Sequence, residues 1–207
     1  MKTLTKEAQE KITPRDALRI LVDGNKRFVS NLKINRNLLQ QANETRDAQH
    51  PFAVIISCMD SRTSAELIFD QGLGDIFSIR IAGNVINEDI LGSTEFGCKV
   101  VGAKIVVVLG HTSCGAIKGA IDDVDLGHLH FITSKIKRCL DKSHAHNSHN
   151  NTNDLINTVT HKNVVLGMED LKNRSSILNQ LEYEKKIITL ALAEKMPLFA
   201  ICGGMQL

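Results

Sequence analysis

The sequence has no tryptophan and one tyrosine, and aromatic residues make up 4% of it. That scarcity argues against the stacking platforms on which single-stranded nucleic acids bind. Neither sign of charge prevails: 25 basic residues stand against 23 acidic ones, for a formal net charge of +2. Neither nucleic acid nor a membrane surface is therefore an expected partner. No stretch reaches the roughly 18 apolar residues of a membrane span. The opening "MKTLTKEAQEKITPRD" lacks the apolar centre of a secretory signal. A cytoplasmic location is the expectation. The five cysteines are odd in number and lack short-domain spacing, so they read as reduced thiols and not as a disulfide framework. With three prolines in 207 residues there is no proline-rich linker, and no internal repeat is visible. One domain with appended helices suits this length.

What is present alternates. "TPRDALRILVDGNKRFVSNL" predicts a helix, with Thr13 as cap, Pro14 in the first turn and Gly24 weakening its middle. "NRNLLQQANETRDAQ" predicts a second, polar helix or an extended arm. Then come "FAVIIS" as strand, "SAELIFDQ" as short helix, "IFSIRIAG" as strand and "ILGSTEFGCKVV" as helix. "AKIVVVLG" is the clearest strand, a continuous apolar run suited to burial on both faces, and "CGAIKGAI" opens another helix. Strand–helix alternation indicates an α/β fold with a mostly parallel central sheet flanked by helices. An N-terminal helical arm over residues 1–48 precedes sheet segments at 49–122 and 195–207. Residues 123–194 read as a helical region, with helices at Leu126 to Leu140, Asp154 to Leu171 and Ser175 to Glu194. A polar loop rich in His and Asn, 141–154, interrupts it, and its His144, His146 and His149 read as solvated. Cys98 and Cys139 lie in predicted helices and read as core.

The chemistry gathers in two short stretches. "SCMDSR" follows the first strand and places Cys58, Asp60 and Arg62 at alternate positions, on one side of an extended chain. "GHTSCGA" places His111 and Cys114 just past the valine-rich strand. Both stretches sit at carboxyl ends of predicted strands, where open parallel sheets bind ligands. Two thiolates and an imidazole are three of the four ligands tetrahedral zinc takes. The fourth position can hold solvent, or Asp60 can fill it. A bidentate pair with Arg62 would instead keep Asp60 off the metal. Spacing alone leaves open the plainer reading of core thiols beside an ion pair.

The two stretches match the signature pair of the beta-class carbonic anhydrases, Cys-x-Asp-x-Arg followed by His-x-x-Cys, as "CMDSR" and "HTSC". The chain resembles that family from about Thr13 to Arg174. The resemblance implies one Zn2+ per subunit on Cys58, His111 and Cys114, with Asp60 a fourth ligand only in a closed state. It implies reversible hydration of carbon dioxide to bicarbonate by metal-bound hydroxide, oriented by Asp60, which Arg62 fixes. Carried over singly, it implies substrate contacts from Gln49, Phe77, Phe96 and the backbone of Gly115, with Phe96 standing where some members have tyrosine. It also implies a homodimer or an assembly of dimers, whose amino-terminal helices wrap the neighbour and whose pocket walls come from two subunits. Some members hold inhibitory bicarbonate on a tryptophan, an arginine and a tyrosine. Arg80 matches that arginine, but Ile55 replaces the tryptophan, so no such switch is expected.

Two other uses of the same zinc site are conceivable from sequence: hydrolysis of a carbon dioxide analogue such as carbon disulfide, or a non-catalytic zinc-stabilised module. The carboxyl end departs from the family. "AEKMPLFAICGGMQL" predicts a strand after Pro197 and then a turn. Its Ala200, Cys202, Gly204 and Gln206 look like the nucleophile turn of class I glutamine amidotransferases, with Ala200 in place of the first glycine. The histidine and acidic partners that chemistry needs downstream are not in the chain, so an edge strand with a loose tail is the expectation.

Overall fold

The computed structural model describes residues 3–140, 152–195 and 198–201. Three helices come first: α1 (Lys6–Lys11), α2 (Pro14–Val29) and α3 (Leu38–Glu44). The start of α2 follows the sequence closely. The Thr13 side chain accepts from Asp16 N, and the Asp16 carboxylate accepts from Thr13 N, which completes a capping box ahead of Pro14. Strand β1 (Ala53–Ser57), the short α4 (Ala65–Ile68), β2 (Ile76–Arg80) and α5 (Glu88–Glu95) come next. A π-helical stretch, Phe96–Val101, extends α5 and leads to β3 (Ile105–His111) and α6 (Gly115–Ile121). Helices α7 (His130–Lys137), α8 (Thr152–Arg174) and α9 (Ser176–Tyr183) precede β4 (Ile188–Lys195) and β5 (Leu198–Ile201).

The sheet order is β2-β1-β3-β4-β5. The first four strands run parallel, and β5 is antiparallel to β4. Strands β1 and β3 are wholly buried, and their alternate residues face opposite ways. Val54, Ile56, Val106 and Val108 pack with residues of α5, α8 and α9. Ala53, Ile55, Ile105, Val107 and Leu109 pack with Ala17 and Leu21 of α2 and Ala65 and Ile68 of α4. Helices cover both faces, which is why the apolar run in β3 has no polar alternation.

Two expectations change. The helix predicted from Ser175 to Glu194 ends at Tyr183, and residues 188–194, assigned above to the helical region, join Lys195 to form β4 (Ile188–Lys195) inside the sheet. Lys185, at φ 57°, breaks the helix. The alanines and leucines of "ITLALAEK" favour helix on propensity, but tertiary context overrides it. Ile188, Leu190 and Leu192 reach the α2 side of the sheet while Ala191 reaches the α8 side, a two-residue period. Pairing from Ile105↔Ile188 to His111↔Glu194 then gives β3 a parallel neighbour on its second edge.

Gly24 is the other change. It is not a weak point of α2 but a contact requirement. A Cβ there would stand 1.7 Å from the Phe69 carbonyl oxygen, so only glycine lets α2 lie this close to the end of α4. The predicted strand after Pro197 is present as β5. Cys202, Gly204, Gln206 and the histidines His144, His146 and His149 lie outside the described residues. Cys98 and Cys139 are buried, and burial pushes their thiols up to about 12 and about 11, as suits core residues.

Candidate metal centre

The chain leaves β1 toward β2 on one side, while β3 continues to β4 on the other. The carboxyl ends of β1 and β3 therefore flank the crevice where an open sheet binds ligands. Ser57 is in register with Leu109, so Cys58 emerges beside the end of β3, whose last residue is His111. Cys114 caps α6 directly afterwards. These steps bring two separated stretches of sequence together.

One donor atom from each of Cys58, His111 and Cys114 lies within 4.8 Å of the others, and all three residues are buried. The two sulfurs are 3.9 Å apart and are not bonded to each other. A tetrahedral zinc with Zn–S of about 2.3 Å sets its sulfurs about 3.8 Å apart, so the pair has the right spread. The His111 Nδ1 faces the Thr112 carbonyl oxygen at 3.0 Å, which assigns the ring proton to Nδ1 and leaves the Nε2 lone pair free. Nε2 is buried and makes no hydrogen bond. A buried imidazole nitrogen with a free lone pair beside two thiols is a donor set that fits zinc.

The electrostatics agree. The two sulfurs are close enough for one thiol to donate to the other as a thiolate, which lowers the pKa of one and raises that of its partner. A divalent cation held here would require both sulfurs to be deprotonated. Burial pushes His111 down, but the Cys58 sulfur, the Asp60 charge and the Thr112 carbonyl together leave it raised.

Asp60 and Arg62 do not lie on an extended strand. The strand stops at Ser57, and Thr63 N donates to Asp60 O at 3.0 Å to close a turn. The turn puts Cys58 inside the molecule and Arg62 at its surface. Asp60 Oδ1 accepts from Arg62 N at 3.0 Å and from Nε at 2.9 Å, and Oδ2 accepts from Nη2 at 2.8 Å. The guanidinium holds the Asp60 carboxyl well below the usual carboxylate range. Oδ2 lies 4.0 Å from His111 Nε2, at the edge of the donor group.

The turn is itself tied down. Thr63 Oγ1 donates to Cys58 O at 3.0 Å and to Asp60 O at 2.9 Å. Arg80, at the end of β2, donates through Nε to Cys58 O at 3.2 Å and through Nη2 to Asp60 O. The sequence reading gave Arg80 no part in holding the donors, because a side chain's bond to a distant carbonyl leaves no pattern in sequence.

The remaining site residues fall elsewhere in this single chain. Phe77 and Phe96 line a shared recess with Ser78, Ile79, Gly92 and Ser93, and none of the three donors lines it. Gln49 is exposed ahead of β1. Gly115 opens α6 with nothing within 4 Å of where a Cβ would project.

Comparison with known proteins agrees with this geometry. A family profile described as carbonic anhydrase matches residues 53–193. The chain is 45% identical over 118 residues to a carbonic anhydrase of Mycolicibacterium smegmatis, covering 56% of this chain and 57% of that protein. It is 42% identical over 123 residues to carbonic anhydrase 2 of Mycobacterium tuberculosis, covering 56% of each. The match thus spans little more than half the length of these two relatives. In three dimensions the b-carbonic anhydrase CafA of Aspergillus fumigatus superposes with a TM-score of 0.71 at 23% identity, over 89% of this chain and 90% of that one, which establishes the shared fold. The chain belongs to the carbonic anhydrase family, in its beta class.

Proposed function

We propose that this protein catalyses the reversible hydration of carbon dioxide to bicarbonate and a proton, with one zinc per chain on Cys58, His111 and Cys114. The observation that carries the reading is the convergence of those three donors within 4.8 Å, with Asp60 Oδ2 at their edge, 4.0 Å from His111 Nε2. When bound, zinc supplies a Lewis acid that lowers the pKa of water from 15.7 toward about 7. Everything else is the work of the chain. Both sulfurs must be deprotonated, and the Thr112 carbonyl keeps the His111 proton on Nδ1, away from the donor nitrogen. Asp60 Oδ1 has both its lone-pair directions engaged by Arg62, whereas Oδ2 accepts one bond and has one direction left. That vacancy orients the attacking water by accepting its hydrogen. Because Arg62 holds Asp60 ionised, the carboxylate serves as an acceptor and not as a proton store, and the released proton goes to solvent. The same pair supports the open arrangement, with Asp60 on Arg62 and not on the metal.

Gln49, Phe77, Phe96 and Gly115 are assigned to substrate contact. The recess of Phe77 and Phe96 lies apart from the donors of its own chain, which supports walls completed by a neighbouring subunit. Exposed Leu32, Leu38, Leu39 and Val100, each more than half accessible, support a homodimer or an assembly of dimers. Four free cysteines among the described residues accord with a reducing cytoplasmic location, and no helix among them is long and apolar enough to cross a membrane. Neither carbon disulfide hydrolysis nor a purely structural zinc gains a supporting observation among the described residues. The test is stopped-flow hydration before zinc removal, after chelation and after zinc is restored. Activity is expected to vanish and to return at one equivalent per chain; equal rates with and without metal would refute the proposal.

A further inference from the structure

Behind the donors, one short turn is held in a posture open to few residues. After β2, Gly83 lies in the left-handed region at φ 65°, ψ 16°, and Asn84 follows at φ 43°. Asn84 N closes the turn on Ile81 O at 2.9 Å. In this posture the Gly83 N–H donates to Cys58 Sγ at 3.4 Å. The Gly83 carbonyl accepts from Asn163 Nδ2 at 2.8 Å, across 80 residues of sequence. A Cβ at Gly83 would stand 2.8 Å from Ile136 Cδ1 and 3.2 Å from Ala116 Cβ, so a side chain is excluded on steric grounds as well.

Asn163 is buried in the middle of α8, 6% exposed. Its amide is oriented from both ends. Nδ2 meets a carbonyl, which only accepts, while Oδ1 faces the Cys139 thiol at 4.0 Å, a weak donor. The same helix packs on β3 at Gly110, the residue before His111, where a Cβ would meet Val164 Cγ2 at 2.4 Å. Helix α8 thus braces the chain behind two of the three donors.

Resting on the metal-centre reading above, we propose that Asn163 is a positioning residue that locks the Gly83 turn so that its N–H stays on the Cys58 sulfur. That bond fixes the sulfur's direction and draws electron density from it, which tunes its donation to the metal. Outer groups of this kind typically change metal affinity by about 10- to 100-fold when removed. A residue that only filled the core would lower stability and leave the sulfur alone.

The experiment loads the full chain with cadmium-113 and observes the Gly83 amide proton. An N–H···S–Cd path transmits a scalar coupling, so this proton is expected to split with cadmium-113 and not with a spinless isotope. Asn163→Ala is expected to abolish the splitting and weaken zinc binding by about 10- to 100-fold. Leu171→Ala, in the same helix at 0% exposure, is the control for lost packing: it should lower Tm and keep both the splitting and the affinity. If Asn163→Ala does not fold, Asn163→Asp, of the same shape without the N–H donor, is measured in its place, with the same loss expected. A wild-type protein that binds one metal per chain without the splitting overturns the proposal. So does an Asn163 variant that keeps splitting and affinity while losing Tm as Leu171→Ala does. Wild-type protein that takes up no metal brings down the metal-centre reading itself, and this proposal with it.

Discussion

Asp60 shows how much of the site depends on one side chain's partners. A free carboxylate beside two thiols and an imidazole would compete for the metal. Here three hydrogen bonds from Arg62 claim it, and its charge is kept through the whole working pH range. Asp60→Asn puts an amide where a carboxylate faced the guanidinium, and removes the charged acceptor. The hydration rate should fall by about 100-fold, within the range for losing one preorganised hydrogen-bonding group at the reacting atoms. Zinc content per chain should not change, since Asp60 lies outside the donor set. Stopped-flow rates and metal analysis on one preparation check both halves; an unchanged rate contradicts the role. At this scale the sequence was most legible. Cys58, Asp60, Arg62, His111 and Cys114 were readable because two short stretches carry them. Gly83 and Asn163 were not, because the turn and the helix that join them have no fixed spacing in sequence.

At the scale of elements, the strands buried on both faces were readable from their unbroken apolar runs. Strand β4 was not, because its residues suit a helix and only the open edge of β3 makes them a strand. The contact of α2 with α4 was misread as a helix weakness. Gly24→Ala should therefore destabilise the fold by about 1–3 kcal/mol, the cost of overpacking, although alanine is the better helix former. A thermal melt showing a raised Tm would contradict the contact. A neighbouring ion-pair cluster fixes the chain between α2 and α3. Buried Asp70 accepts from Arg27 Nε at 2.5 Å and Arg36 Nη1 at 2.6 Å. Asp70→Asn keeps the size of a residue sitting at φ 45° and removes the charge. Breaking a buried pair costs about 3–5 kcal/mol, and denaturant unfolding at neutral pH measures it.

For the whole molecule, two buried carboxylates set opposite pH slopes. Burial pushes Asp70 up, but Arg27 and Arg36 outweigh it and leave its pKa lowered. Its contribution is present above the ordinary carboxylate value and is lost as pH falls through the folded one. Asp75 is raised by burial, which outweighs the N–H of Gly72 at 2.7 Å and the charge of Arg36. Its contribution is fullest below the ordinary value and is lost as pH rises through the folded one. The stability gap between wild type and Asp70→Asn should therefore shrink on acidification, while ionised Asp75 opposes folding at neutral pH. Unfolding curves for Asp70→Asn and Asp75→Asn from pH 7 to pH 3 should diverge in this sense; parallel curves contradict it. Exposed Leu38 and Leu39, 55% and 74% accessible, predict association. Sedimentation should give at least two chains per particle, and Leu38→Asp with Leu39→Asp should shift it toward one. Unchanged sedimentation of the double variant would remove this face from the interface.

The measurement closest to the central claim is zinc K-edge absorption on the purified full chain. The account predicts one zinc per chain, with two sulfurs at about 2.3 Å, one histidine nitrogen at about 2.0–2.1 Å and one further light atom. A four-sulfur shell, a shell without sulfur, or protein carrying no stoichiometric zinc would contradict it.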